Sequence, residues 1–185
     1  MSAPNAEDII AEINELRTNP RGYAQKIRQY KEYFSGKILR LPGSSVGIKT
    51  TEGPDAYEEA ATFLESADTQ EVCAFETSDG LTRVAQDFLE AVTNTEPARV
   101  GEINMEDIIA RHGEFTGNFS RAMEFGASTS EQVVINLVVS DGDKARGQRD
   151  SLLNGGLKRV GVATGPHNTY RTCTVIVSCT KFTDK

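Results

Sequence analysis

Two strand-like runs at the C-terminal end limit the folds open to this chain. Leu157 to Thr164 and Arg171 to Thr180 are rich in Val, Ile, Thr and Cys, and only Gly165 to Tyr170 separates them. They read as an antiparallel hairpin. Asn154-Gly155-Gly156 supplies a turn before the first run, and Phe119 to Phe125 reads as a third strand. A small sheet of this kind leaves two faces to be covered. The chain upstream offers the cover as amphipathic helices, so the expected class is α+β, with a small, mainly antiparallel sheet flanked by helices.

The helices show in their spacing and their caps. Asn5 caps a first one with Ile9, Ile13 and Leu16 inward, and Asn19-Pro20 opens a second with Tyr23, Ala24, Ile27 and Tyr30 inward. Residues 35 to 53, with their glycines and Pro42, read as a surface loop. A third helix fits Pro54 to Ser66. A fourth starts at Ser78 and carries Leu81, Val84, Ala85, Phe88 and Val92. A fifth opens on the capping box Ser128-Thr129-Ser130-Glu131 and stops at Asp141-Gly142. The 185 residues fit one domain, divided as a helical extension over 1–70 and a core over 71–185.

Charge and cysteines narrow the setting. A net charge of -7 disfavours nucleic-acid backbones and anionic membrane surfaces as partners. No run approaches about 18 consecutive apolar residues, so no transmembrane segment is expected. Met1 to Asp8 lacks the basic and apolar regions of a signal peptide, which points to a cytoplasmic home. Cys73, Cys173 and Cys179 are too few for a disulfide framework. Within one strand Cys173 and Cys179 stand roughly 20 Å apart, against the ~7 Å between Cα atoms that a disulfide allows. Three free thiols are expected.

The segments Ser140-Asp141-Gly142, Arg146-Gly147-Gln148-Arg149, Val160-Gly161-Val162-Ala163 and Gly165-Pro166-His167, with Tyr170, resemble the C-terminal signature of the CAP superfamily, also called SCP, in its protist and bacterial form. Leu16 to Ala24 looks like the opening of the same proteins. The likeness runs from Asn14 to Cys179. It implies an α-β-α sandwich and a cleft lined by two histidines and two acidic groups, which in several members bind a divalent metal. Here Gln148 stands at one cleft histidine position, and Ala98 to Gly101 holds no histidine for the other. Arg121 replaces a carboxylate, unless Glu124 is the strand carboxylate. Phe88, after Asp87, stands where a histidine is frequent. Asp141 keeps an acidic group. No metal and no cofactor are expected.

The residues themselves agree. Gln148 does not titrate and cannot serve as general acid or base, and amides ligate transition metals weakly beside imidazole. Arg121 alternates with Phe119, Met123 and Phe125, and Asp141 is its natural ion-pair partner. His112 and His167 read as packing or turn residues, so no Ser-His-Asp set is credible. Gly155-Gly156 precedes a strand and forms no phosphate loop. Arg146, Arg149 and Arg159 pair with carboxylates by default and otherwise form a protein-binding patch. The resulting expectation is a non-catalytic binding or scaffold domain with a protein partner in an intracellular assembly, a ciliary or cytoskeletal one by analogy with protist members. A lipid or sterol ligand is the first alternative, and a metal-dependent or peptidase-like enzyme the second.

Overall fold

Asn5 accepts the backbone N–H of Asp8 through its side chain, and so starts α1 (Ala6–Thr18). Asn19 caps α2 (Pro20–Tyr30) in the same way through Gly22, with Pro20 in the first turn. The structure is a computed structural model that describes residues 4–66, 72–95 and 97–185. Met1 and the expected division at residues 70 and 71 lie outside the described residues. After α2 the chain forms a short three-stranded antiparallel sheet, β1 (Phe34–Ser35), β2 (Ile38–Leu39) and β3 (Ile48–Lys49), within the segment expected to be all loop. α3 (Pro54–Glu65) follows.

The main sheet has the order β4-β6-β7-β5, from β4 (Glu76–Thr77), β5 (Gly113–Phe125), β6 (Arg159–His167) and β7 (Arg171–Asp184). β6 and β7 form the expected hairpin, with Val162 opposite Ile176. β5 lines the far side of β7, with Arg121 opposite Val177. Two-residue β4 pairs parallel to β6.

Alternation along the strands gives the sheet two buried faces. Ala122, Val160, Val162 and Ile176 meet α1, α3 and α6 (Ser130–Val139). Ala163, Cys173, Val175, Val177 and Cys179 meet α4 (Asp79–Thr93) and α5 (Met105–His112). Layers therefore stack as helix, sheet, helix: the α+β, α-β-α sandwich expected. α4 lies so close to β6 that a Cβ on Gly161 would stand 2.1 Å from the Leu81 backbone. α6 ends one residue before the expected stop, at Ser140 in a left-handed conformation. Its cap is Thr129, which accepts the N–H of Gln132. α7 (Gly147–Leu153) fills the Arg-Gly-Gln-Arg segment. All three cysteines are free, Cys73 exposed and the other two buried. Burial pushes the Cys173 thiol up to about 12 and the Cys179 thiol up to about 11.

Arg17 is a core residue that helical spacing alone does not single out. It is fully buried at the end of α1. Its Nε donates to the Cys73 carbonyl at 2.8 Å, Nη1 to Leu152 at 2.6 Å and Nη2 to Leu157 at 2.9 Å. The guanidinium also lies 3.7 Å from the centre of the Phe75 ring. Burial brings its pKa down to about 10.

Candidate functional site

A cleft of about 310 Å³ opens between the small sheet, α3, the end of β5 and the α6–α7 turn. Glu124 of β5 is its deepest carboxylate, 7% exposed. One oxygen accepts Asn136 Nδ2 at 2.8 Å and the other the Ala127 N–H at 3.2 Å. Burial outweighs both bonds and pushes the carboxyl up to about 7. Of the two strand residues considered, Glu124 is the one that lines the cleft. It shares its side of the strand with Ala122, whereas Arg121 faces the other way.

Gln148 of α7 also lines the cleft, and its Oε1 accepts the Met123 N–H at 3.1 Å. Asp141 lines the rim. Its two oxygens accept the N–H groups of Thr51 at 2.6 Å and Glu52 at 2.8 Å. Glu52 reciprocates, taking the Gly142 N–H at 2.8 Å and Arg146 Nη1 at 2.7 Å. Arg146, and then the Gly142 N–H, hold the Glu52 carboxyl down to about 2. Together these bonds fasten the strap before α3 to the α6–α7 turn.

The expected ion pair of Arg121 with Asp141 does not form. Arg121 lies on the opposite face of the sheet, its guanidinium 4.6 Å from the centre of the Phe88 ring. The reason is parity. Arg121 shares a face with Phe119, Met123 and Phe125, as expected, but that face meets α4, whereas Asp141 follows α6 in the other layer. The four residues of the expected cleft therefore divide into two pairs: Asp141 and Gln148 in the cleft, Phe88 and Arg121 across the sheet. The segment Ala98 to Gly101 falls in a 3₁₀ turn over Pro97–Glu102, and the side chain of Ala98 lies outside the described residues.

Neither histidine reaches the cleft. His112 Nε2 lies 2.9 Å from Asp87 Oδ2. His167 packs against Phe125 and Tyr170 and accepts the N–H groups of Thr169 and Tyr170 through Nδ1. Of the three arginines considered as a patch, Arg149 is 2% exposed and donates to both oxygens of Glu59. Arg146 is held by Glu52, and Arg159 reaches Glu76 at 2.7 Å. They form no free patch: carboxylates already in the chain claim their donors. Among the described residues no group of three His, Cys, Asp or Glu side chains is placed to hold a metal.

Beside the cleft, sharing Ile48 with it, runs a groove of about 620 Å³ bordered by Tyr30, Tyr33, Leu41, Pro42 and Val46. Val46 is 55% exposed and Ile48 41%. Among the described residues no helix is long and apolar enough to cross a membrane.

No family model and no curated protein matches the chain. Among solved structures it is similar to an outer surface protein of Borrelia burgdorferi, with a TM-score of 0.47 and 13% identity over 62% of this chain and 80% of that one. It is also similar to a cysteine-rich secretory protein of Staphylococcus aureus, with a TM-score of 0.43 and 13% identity over 85% of this chain. It spans about half of that protein, 49% of its length.

Proposed function

We propose that this chain is a non-catalytic binding domain that takes a protein partner within an intracellular assembly. The carrying observation is the Gln148 amide. Where the resemblance implies an imidazole, the cleft has a side chain that cannot titrate and that is spent on the Met123 backbone. Glu124 and Asp141 likewise each receive two donors from within the chain. The exposed apolar side chains of Val46 and Ile48, next to an open groove, suit a protein contact. A ciliary or cytoskeletal assembly is one setting for it. Affinity purification from native cell extract tests the reading. A stoichiometric protein partner is expected, and Val46→Glu with Ile48→Glu should release it. Peptide hydrolysis that Glu124→Gln abolishes would overturn the proposal.

The groove itself favours a second reading, lipid or sterol binding, because it places Tyr30, Tyr33, Leu41 and Pro42 around a space of about 620 Å³. Native mass spectrometry after exposure to sterol-containing vesicles separates the two. A retained sterol adduct would favour the lipid, and an unchanged mass the protein partner.

A further inference from the structure

The chemistry of the cleft defines a class of ligand. Glu124 lies buried within it, and the exposed residues Asp141 and Asp143 stand at its rim. Lys49 is the one cation among the described lining residues. Between the acidic groups the walls are apolar, with Leu39, Ile48 and Leu137. Tyr57 adds an independent observation. It is 3% exposed, its ring packs against Tyr30 and Phe34, and it lines the cleft. Among the described residues its hydroxyl has no hydrogen-bond partner. The Tyr23 hydroxyl is the sealed one left without a partner among the described residues, whereas Tyr57 lines the open cleft, where a ligand can reach it.

We infer that the cleft receives an alkyl guanidinium or ammonium group, with Glu124 as its counter-ion, the Tyr57 hydroxyl as a further acceptor and the apolar walls along its stem. The inference rests on the protein-binding reading above, and the source is an arginine or lysine side chain of the partner. Each Glu124 oxygen takes one internal donor and keeps a lone pair for a second. Three carboxylates spread along a cleft, without converging on one point, suit an elongated organic cation better than a metal ion. The space of about 310 Å³ suits one long side chain.

Titratable groups share the cleft with Glu124: Tyr57 of α3, Lys49 of β3, and Asp141 and Asp143 of the α6–α7 turn; Cys173 of β7, on the other face of the sheet, is near enough to feel its charge. A bound cation favours the ionised carboxylate, so binding strengthens as pH rises through the range in which Glu124 ionises.

The test is an NMR titration of the whole chain with N-acetylarginine-N-methylamide. Its neutral citrulline counterpart and the free cation agmatine are run beside it. The arginine probe should shift the amide signals of Glu124, Asn136 and Asp141, and the citrulline probe should bind at least about 10-fold more weakly. Affinity should rise about 10-fold from pH ~6 to ~8 as Glu124 ionises. Glu124→Gln should abolish that rise, and Tyr57→Phe, which leaves the ring packing intact, should weaken binding severalfold. Equal binding of citrulline, or shifts from calcium in place of arginine, would overturn the inference. Binding of agmatine without the capped arginine would assign the site to a free cation and overturn the protein source. A co-purified partner indifferent to Glu124→Gln would sink this inference and leave the protein-binding reading standing. Arginine binding in a chain with no protein partner would sink the protein-binding reading and the partner as source, and leave only the cation-binding cleft.

Discussion

The side-chain oxygen of Gln148 accepts the backbone N–H of Met123 at 3.1 Å, so a residue of α7 caps the outer edge of β5. Gln148→Leu leaves that N–H without its partner and should cost about 1 kcal/mol. Thermal unfolding should then move down by about 2–4 °C. Gln148→His should not produce zinc binding in calorimetric titration, because no second imidazole lines the cleft among the described residues. One-to-one binding in the sub-micromolar range would contradict this.

Arg121 and Phe88 should couple, and Arg121 and Asp141 should not. In a double-mutant cycle by urea unfolding, Arg121→Ala and Asp141→Ala should add within about 0.5 kcal/mol, since they lie in different layers. The cycle of Arg121→Ala with Phe88→Leu should give about 0.5–1 kcal/mol of coupling, the range of an exposed cation over a ring.

Both results bear on what a sequence can disclose. The alternation of Arg121 with Phe119, Met123 and Phe125 was legible and correct. What it lacked was the layer each face meets, which depends on contacts distant in sequence. The caps at Asn5 and Asn19 and the β6–β7 hairpin were legible because they are local. α5 and α7 are too short to show a period, and Arg146 enters α7 with a left-handed backbone that no glycine announces. β4 has two residues, paired to a strand more than eighty positions away. Arg17 looks like any charge in the last turn of a helix. Its burial follows from four carbonyls that only the folded chain brings together.

Stability should carry the signature of Glu124. Its carboxyl is raised from 4.5 to about 7 in the folded chain. Between those values the folded state holds a proton that the unfolded state has lost. Stabilisation from the neutral form is therefore complete below pH ~4.5 and is lost as pH rises to ~7, by a total of about 3 kcal/mol. Urea unfolding of the native chain minus that of Glu124→Gln, across this window, isolates the effect from the acidic residues whose carboxyls are lowered. A flat difference would show that Glu124 ionises as it does in the unfolded chain.

Thiol reactivity should follow depth. Cys73 is exposed and should label quickly in the native protein, while Cys173 and Cys179 are buried, with their thiols pushed up, and should label only on unfolding. Mass spectrometry under non-reducing conditions should count one label before urea and three after. A single label after urea would reveal a disulfide.

The Arg17 site sets a timetable for synthesis. Two of the carbonyls that hold its guanidinium belong to residues 135 and 140 positions further along. Until Leu157 has left the ribosome, that charge lacks its full set of protein acceptors. The burial of this helix end therefore depends on segments made more than a hundred residues later, so its final packing is a late event in synthesis.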